Sequence, residues 1–460
     1  MALRASQTVW LSAPTVVVAT AGDAEAISDG AALATSLQTP LLLGTSAADP
    51  TSQDASPSAT DAADPTGQPD DPSLTRQLAE ELDRLGTETV VVVGAAPALP
   101  SNVEVVAADA APSNPPRQGT AEMVVLVAPD DPAPAAEATL TAAGATALTL
   151  EEIDPRDSPA AIKQLVDSGD VPVVGLGSRL GPADRLERRV AVARTGRTLP
   201  DGRQTLFPHR RMVALYGHPS TSALGVLGEQ GPLESVERVT ALAASYEDYS
   251  DEPVLPAFEI IATVASGTAG PDGDYSNETP IDVLRPYVDA AADGGVYVVL
   301  DLQPGRSDFV SQAKEYEELL ALPHVGLALD PEWRLRPDQV HLEQIGSVTA
   351  AEVNGVADWL ATLTRERALP QKLLLLHQFS QRMIIDRPTL DLSHDELAVV
   401  VQMDGDGTPA DKDATWRALR ADAPEGLLFG WKNFYDEDEP TLTPQQTMAV
   451  APTPWWVSYQ

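Results

Sequence analysis

The stretch Val325-Gly-Leu-Ala-Leu-Asp330-Pro-Glu332-Trp333 is an apolar run that ends in two carboxylates. Side chains alternate across a β-strand, so residues two apart lean to the same side. We therefore expect Asp330 and Glu332 to project from one strand end. Several other apolar segments after Arg211 also end in polar or ionisable residues. This repetition is typical of a barrel whose strand ends form the rim of an active site.

The segment 212–460 contains eight such strand candidates, with helical segments between most of them. Eight strands with intervening helices in about 250 residues are the signature of a (β/α)8 TIM barrel. The predicted strands are Met212–Gly217, Val254–Val264, Val296–Leu302, Val325–Asp330, Lys372–His377, Leu397–Met403, Gly426–Trp431 and Trp455–Tyr459. The predicted helices include Leu233–Tyr246, Pro280–Ala292, Ser307–Leu320 and Ala350–Arg367.

The N-terminal region, 1–193, also alternates strands and helices. Its strands, at 14–20, 40–44 and 89–94, are apolar throughout, and a weaker copy of the pattern extends to 171–175. Continuous apolar strands separated by amphipathic helices indicate an α/β fold with a parallel sheet covered on both faces. The Ala-, Asp-, Pro-, Ser- and Thr-rich segment 46–73 buries too little apolar area to fold, which predicts a disordered insertion. The arginine-rich segment 194–211 is predicted to be an interdomain linker.

Composition restricts the possible partners. The chain has 460 residues, with 30 Lys and Arg against 68 Asp and Glu, and its net charge of −38 disfavours nucleic acid and anionic lipid surfaces. There is no cysteine, and no apolar run approaches the roughly 20 residues of a transmembrane helix. Neither a Gly-x-Gly-x-x-Gly nor a Gly-Lys-Ser/Thr phosphate loop occurs, which argues against nucleotide binding. A Gly-x-Ser-x-Gly elbow is also absent, so a serine hydrolase is unsupported.

Carboxylates together with aromatic residues at strand ends suggest carbohydrate chemistry. Glycoside cleavage needs one carboxylic acid to protonate the leaving oxygen and one anion to stabilise or trap the sugar cation. Neighbouring like charges raise one pKa. We therefore predict Glu332 as the general acid and Asp330 as its ionised partner, with Asp301 as the reserve candidate for that partner.

The remaining predicted strand ends supply candidate substrate-binding residues. These are His218, Glu259, Gln303, Arg306, Trp333, His377, Gln378, Asp404, Trp431, Lys432 and Tyr435. Trp455 and Trp456 are also expected near a strand end. Each single residue has a structural alternative, because an Asp after a strand often caps a helix or sets a turn. A tryptophan can likewise plug a barrel. A metal site could form from Asp301, Asp330, His377 and Asp404, but their spacing is not specific for one, so neither a metal nor another cofactor is predicted.

The N-terminal region resembles the cell wall-binding repeat 2 family of Gram-positive surface proteins. The matching segments are Ala24–Ala34, Pro40–Gly44 and Val90–Pro100, with Ala95 in place of the family's second glycine. The resemblance implies an extracellular, wall-associated protein whose partner is a cell-wall polysaccharide or peptidoglycan. The Ala-, Asp-, Pro- and Arg-rich composition looks actinobacterial. The start, Met1-Ala-Leu-Arg4, lacks the apolar core of a signal peptide. The chain is then either cytosolic or lacks its export signal, and the resemblance favours export.

The C-terminal region resembles glycoside hydrolase barrels in general. Its Asp330-Pro-Glu332 is similar to the Asp-x-Glu of some lysozyme-like and chitinase-like barrels, in which the Glu is the acid and the Asp assists an acetamido group. The expected function is hydrolysis of an envelope glycan. The alternative is a non-catalytic surface protein that binds a glycan or acts as a scaffold, because fold does not fix function. A metal-dependent phosphoesterase or deacetylase is the least favoured hypothesis.

Overall fold

The computed structural model describes residues 1–45, 72–112, 121–131 and 133–460. They form two compact units, Met1–Val190 and Ala191–Gln460. The predicted disordered insertion, 46–73, lies outside the described residues except for its last two, which begin a helix. In the described parts of the chain, no helix combines the length and apolar character needed to cross a bilayer.

The N-terminal unit contains two parallel sheets. Strands pair in the orders β2-β1-β3-β4 and β6-β5-β7, and every pairing is parallel, as the apolar strands predicted. The elements are α1 (Ala2–Val9), β1 (Thr15–Thr20), α2 (Ala24–Leu37), β2 (Leu41–Gly44), α3 (Pro72–Leu85), β3 (Thr89–Val93), β4 (Glu104–Ala107), β5 (Val124–Val127), α4 (Pro134–Ala142), β6 (Thr146–Thr149), α5 (Pro159–Asp167), β7 (Val173–Leu176) and α6 (Ala183–Arg194). The sequence did not predict α1, β4, β6 or α6.

The central strand β1 is buried on both faces. Val16 and Val18 enter one hydrophobic cluster, whereas Val17 and Ala19 enter another. This explains why its sequence is apolar throughout rather than alternating. The following helix begins at a side-chain cap, because the backbone NH of Ala26 donates to a carboxylate oxygen of Asp23 at 3.0 Å.

The C-terminal unit is a closed barrel of eight parallel strands. Its order is β8-β9-β11-β12-β14-β16-β17-β18, and β18 pairs with β8 to close the ring. The elements are β8 (Arg211–Gly217), α7 (Pro232–Ala244), β9 (Val254–Ala265), β10 (Ser276–Glu278), α8 (Ile281–Gly294), β11 (Tyr297–Leu302), α9 (Phe309–Glu315), α10 (Glu317–Leu320), β12 (Val325–Leu329), β13 (Val348–Thr349), α11 (Ala350–Glu366), β14 (Lys372–Gln378), β15 (Ile384–Ile385), β16 (Leu397–Met403), α12 (Pro409–Arg420), β17 (Leu428–Asn433), α13 (Pro444–Met448) and β18 (Trp456–Tyr459). The fold is consistent with the predicted TIM barrel.

Alternation along each strand separates the barrel interior from the helical shell. On β14, Leu373 and Leu375 lie in the interior cluster, whereas Leu374 and Leu376 pack with the surrounding helices. The same inward series continues to His377, which is fully buried. A strand's last inward position can therefore carry a polar group while the rest of the strand remains apolar.

The segment 194–211, predicted as a linker, contributes to the barrel unit. Leu199 and Leu206 are buried in the interior cluster with residues from the amino ends of the strands. Arg203 and Arg210 both pair with Asp201, at 3.2 and 2.5 Å. The segment therefore packs over the amino end of the barrel.

The prediction that Trp455 and Trp456 lie on the active-site rim is wrong. Both residues lie at the amino end of β18. The ring of Trp455 packs on Phe207, with the centroids 5.8 Å apart. The indole NH of Trp456 donates to the Gln402 side-chain oxygen at 2.5 Å. Strand direction is the reason, because only the carboxyl ends of parallel strands form the rim.

Candidate active site

A group of ionisable side chains occupies inward positions toward the carboxyl ends of the barrel strands, although β9 continues beyond Glu259 to Ala265. Glu259 lies on β9, Asp301 on β11 and His377 on β14, and all three are fully buried. Asp330 and Asp404 follow β12 and β16 directly. We call Glu259, Asp301, Asp330, Glu332 and Asp404 the carboxylate cluster. Its members come from β9, β11, β16 and the end of β12, and they meet at one end because the strands form a closed barrel.

His377 lies at the centre of the carboxylate cluster. Its Nε2 is 2.5 Å from Glu259 Oε1, and its Nδ1 is 2.9 Å from Asp404 Oδ2. Each ring nitrogen therefore faces a carboxylate oxygen, and a protonated imidazole, which donates from both nitrogens, satisfies both contacts. Burial lowers the pKa of His377, but the carboxylates of Asp301, Glu259 and Asp404 outweigh burial and raise it well above its ordinary value.

Lys432 supplies the second cation. Its Nζ lies 3.0 Å from Asp404 Oδ1 and 3.7 Å from the centroid of the Tyr216 ring. Burial would raise the pKa of Asp404, but Lys432 and His377 together hold it below its usual range. Among the cluster members that line the cavity, Asp404 is therefore the carboxylate that is held ionised.

The ionised forms of Asp301 and Asp330 are less stabilised than that of Asp404. The Tyr216 hydroxyl donates to Asp301 Oδ2 at 3.1 Å, and burial raises the pKa of Asp301 to about 6 although the His377 cation opposes it. Burial, followed by the charge of Glu332, raises the pKa of Asp330 well above its usual value. Asp330 therefore does not suit its predicted role as the ionised partner, whereas Asp404 suits that role.

A cavity of about 430 Å³ opens above these groups. Its ionisable lining comprises Asp330, Glu332, Asp404, Asp406 and Lys432, and its aromatic lining comprises Tyr216, Trp333, Phe379 and Phe434. Asp330 and Glu332 thus line a common cavity with aromatic residues, as Asp330-Pro-Glu332 suggested. Although β12 ends at Leu329, the short turn Pro331–Trp333 keeps Glu332 on the cavity wall.

Glu332 is the carboxyl group suited to donate a proton near neutral pH. Burial, followed by the negative charge of Asp404, raises its pKa to about 7. Glu332 is only partly buried and lines the cavity, so a ligand can reach it. The cavity therefore presents a protonated carboxyl group and an ionised one.

The other predicted site residues differ in their position relative to the cavity. Gln303, Trp333, Asp404 and Lys432 line the cavity. Glu259, Asp301 and His377 are fully buried and are not among its lining residues, so Glu259 and His377 position other groups rather than contact a ligand. His218, Arg306, Gln378 and Trp431 do not line the cavity either.

These four residues have structural partners of their own. His218 Nε2 lies 3.0 Å from Thr279 Oγ1. The Arg306 guanidinium lies 4.1 Å from the Tyr275 ring centroid and donates to the Gln339 carbonyl. The Gln378 amide donates to the carbonyl of Ser380. Their proposed substrate-binding roles are therefore not supported by this geometry.

Trp431 faces the helical shell, because Lys432 next to it on β17 faces the interior. Only 1% of Trp431 is exposed, and its ring meets that of Trp416 on α12 with the centroids 5.6 Å apart. Trp431 therefore belongs to the hydrophobic core rather than to the ligand site.

Tyr435 lines a second cavity of about 240 Å³, together with Glu229, Arg238 and Asp436. Gln460 lines both cavities, so the two are adjacent. Tyr435 can therefore contact only a ligand that extends from the first cavity into the second.

Five further residues that line the first cavity were not predicted from the sequence, namely Tyr216, Phe379, Asp406, Phe434 and Gln460. The alternation signal could have identified Tyr216, because Met212 and Ala214 precede it in the same inward series. Phe379 and Phe434 follow their strands by one residue, and their orientation depends on the loops.

Asp301, Asp330 and His377 could offer ligands to a metal ion, because one ligand atom from each lies within 4.8 Å of the others. However, both nitrogens of His377 already donate to carboxylates. A metal could use His377 only by displacing one of these hydrogen bonds.

The fold and site define a TIM-barrel-like protein with a carboxylate-rich cavity at the carboxyl ends of its strands. Comparison with known families finds no family model that matches the chain, and comparison with curated proteins finds no significant match.

Proposed function

We propose that the barrel is a glycoside hydrolase that cleaves a cell-wall glycan by carboxylate acid/base catalysis. The observation that carries this proposal is a pair of carboxyl groups, Glu332 and Asp404, which line one cavity and have pKa values shifted in opposite directions. Environments that separate the pKa values of two groups in this way assign the acid and the anion of a catalytic pair.

In this mechanism Glu332 donates its proton to the glycosidic oxygen as the bond from that oxygen to the anomeric carbon breaks. The positive charge that develops on the sugar ring is stabilised by ionised Asp404. Water then adds at the anomeric carbon and gives a proton to the Glu332 carboxylate, which completes the hydrolysis and restores the acid. His377 and Lys432 do not react, and their role is to keep Asp404 ionised and fixed in position.

The aromatic lining supports a sugar ligand. Trp333 is only partly buried and lines the cavity together with Glu332. Aromatic faces stack on the C–H surfaces of sugar rings, so Trp333 can hold a ring next to the proton donor. The adjacent second cavity with Tyr435 offers room for another part of an oligosaccharide.

We also propose that the N-terminal unit binds the cell wall and that the protein acts outside the cell. The support is the family resemblance of its helix and strand segments, together with its parallel sheets. Gly94, in the strand-end motif of this resemblance, has φ of +87°, a conformation that favours glycine.

Glycan release from purified Gram-positive envelopes tests the catalytic proposal. Soluble products are measured by mass spectrometry for the natural chain, for Glu332→Gln and for Glu366→Gln. Glu366 is an exposed residue at the end of α11 and serves as the matched control. We expect release by the natural chain and the control, and a loss of about 100-fold or more in Glu332→Gln.

Two other outcomes would change the proposal. Equal release by all three proteins would retain the hydrolase and remove Glu332 as the acid. No release by any of them, from peptidoglycan or wall polysaccharide, would favour the non-catalytic glycan-binding or scaffolding alternative.

A further inference from the structure

The second cavity is bordered by an aromatic ring that the barrel leaves exposed. Two aromatic residues are exposed in the described parts of the chain, Tyr249 at 45% and Tyr435 at 43%. Tyr435 lines the second cavity, whereas Tyr249 is not among the residues that line either cavity. A single exposed apolar residue is ordinary on a protein surface, so the way in which the Tyr435 ring is held decides what it can do.

The Tyr435 ring is anchored to the hydrophobic core. Its centroid lies 5.2 Å from that of the Tyr459 ring, with an angle of 30° between the planes. Tyr459 is 3% exposed, and its hydroxyl is hydrogen-bonded to that of the fully buried Tyr246. The backbone NH of Tyr435 also donates to the carbonyl of Gln460 at 3.0 Å. A ligand that stacks on this ring would therefore restrict little additional side-chain motion, which favours binding.

Arg238 supplies a second fixed group in the wall of this cavity. One terminal nitrogen of its guanidinium donates to Glu229 Oε2 at 2.6 Å and to Gln230 Oε1 at 2.7 Å. Burial raises the pKa of Tyr435, and the charge of the neighbouring Arg238 opposes this rise. The cavity thus combines an aromatic face with hydrogen-bonding side chains, a combination that suits a sugar ring because the ring has both C–H surfaces and hydroxyl groups.

Gln460 connects the two cavities. It lines both of them, and its backbone NH donates to the carbonyl of Asn433 at 3.0 Å, so it is fixed beside the end of β17. The first cavity, with Trp333, has a volume of about 430 Å³, and the second, with Tyr435, has about 240 Å³. A ligand that passes Gln460 therefore meets one aromatic residue in each cavity.

We infer that Tyr435 forms a second sugar-binding subsite and that the barrel selects its ligand by length. One ring of the glycan lies against Trp333 in the first cavity, and a ring further along the same chain stacks on Tyr435. The substrate class is then an oligosaccharide or polysaccharide that passes Gln460, rather than a disaccharide. The inference rests on the proposed function for the glycan, whereas the length preference rests on the anchored ring and on the residue that both cavities share.

The test measures how strongly the full chain retains soluble glycan fragments of two lengths. Peptidoglycan and wall polysaccharide from Gram-positive envelopes are partially hydrolysed with acid and sorted into disaccharide and hexasaccharide pools. The immobilised protein carries Glu332→Gln, so that bound fragments are not cleaved, and mass spectrometry quantifies them. We expect the hexasaccharide pool from one of the two glycans to be retained at least about tenfold more strongly than its disaccharide pool, a difference of about 1.4 kcal/mol.

Variants in the Glu332→Gln background locate the subsite. Tyr435→Ala should remove most of the preference for the hexasaccharide and leave retention of the disaccharide unchanged. Tyr435→Phe should keep most of the preference, because the aromatic face remains. Tyr249→Ala replaces a tyrosine of similar exposure and should have no effect. The N-terminal unit is the same in every variant, so its own affinity for the wall cancels in the comparison.

Three results would overturn the inference. The first is equal retention of both lengths by the Glu332→Gln protein, and the second is a length preference that survives in Tyr435→Ala. The third is a failure to retain any fragment of either glycan. Thermal unfolding of Tyr435→Ala and Tyr435→Phe verifies that a loss of the preference does not come from a loss of folding.

The outcomes also separate this inference from the proposed hydrolase. A length preference that depends on Tyr435, without release of any product by the natural chain, would support the subsite and contradict the hydrolase. Release of products by the natural chain, without any length preference, would support the hydrolase and contradict the subsite.

Discussion

His377 Nδ1 lies 2.9 Å from Asp404 Oδ2, and this charged hydrogen bond joins the carboxyl ends of the neighbouring strands β14 and β16. It has two consequences. It helps to keep Asp404 ionised, and it fixes the imidazolium whose other nitrogen holds Glu259. Stability and chemistry therefore depend on the same residue.

Replacement of His377 by Asn should destabilise the barrel and abolish glycan release. The variant leaves the fully buried Glu259 without its cation, and breaking a buried pair costs about 3–5 kcal/mol. Urea denaturation measures this cost. The double variant Glu259→Gln/His377→Asn should recover part of the stability but none of the activity. If the single and double variants were equally unstable, Glu259 would not be the source of the cost.

The rate of glycan release should fall as pH rises above about 7. The pKa of Glu332 is raised to about 7, so its proton is present below this pH and is lost above it. Asp404 should impose no limit in the mildly acidic range, because its pKa is held below the usual range. Initial rates across the acidic to alkaline range measure the profile. A rate that continues to increase well above neutrality would exclude Glu332 as the acid.

Trp333 and Trp431 should respond differently to replacement by alanine. Trp431 is buried in the shell, so Trp431→Ala should lower the free energy of unfolding by about 3–5 kcal/mol. Trp333 lines the cavity, so Trp333→Ala should weaken glycan binding by about tenfold with a smaller change in stability. Denaturation and calorimetric titration of both variants provide the comparison. The reverse pattern would place the sugar-stacking residue at Trp431.

Lys372 should make stability depend on pH. Its Nζ is buried at the amino end of β14 and donates to the carbonyls of Leu322 and Val325. Burial lowers its pKa from 10.5 to about 7. Between these values the unfolded chain binds a proton that the folded chain does not, so the free energy of unfolding increases with pH across this window.

Below about pH 7, the burial of Lys372 lowers the free energy of unfolding by its full amount. Lys372→Met should remove this part of the pH dependence, whereas replacement of the exposed Lys314 by Met should not. Urea denaturation at several pH values, followed by tryptophan fluorescence, measures the slopes. An unchanged slope in Lys372→Met would show that Lys372 remains charged in the folded protein.

Gly94→Ala should destabilise the N-terminal unit more than Gly86→Ala. Both glycines have positive φ, +87° and +64°, which costs an alanine about 1–2 kcal/mol. A Cβ at Gly94 would also lie 2.7 Å from Thr20 Oγ1, whereas one at Gly86 would meet nothing within 4 Å. Overpacking should add about 1–3 kcal/mol at Gly94. Thermal unfolding of the two variants measures the difference, and equal losses would show that the contact with Thr20 relaxes.

The sequence by itself determined the eight strands of the barrel, because strand periodicity is a local property. The strand Leu397–Met403 has the predicted bounds, and the other predicted barrel strands agree within about two residues at each end. The sequence also placed Asp330, Glu332 and Trp333 at one strand end, and all three line the cavity.

Only the tertiary structure decided which strand-end residues meet. A shift of one residue exchanges the inner and outer faces of a strand, so the predicted end of β17 at Trp431 could not show that Lys432 faces the interior. Glu259 and His377 lie 118 residues apart and meet only because the barrel closes. The pKa values of Glu332 and Asp404 follow from that closure, since burial and the nearby cations act through distances that local sequence does not specify.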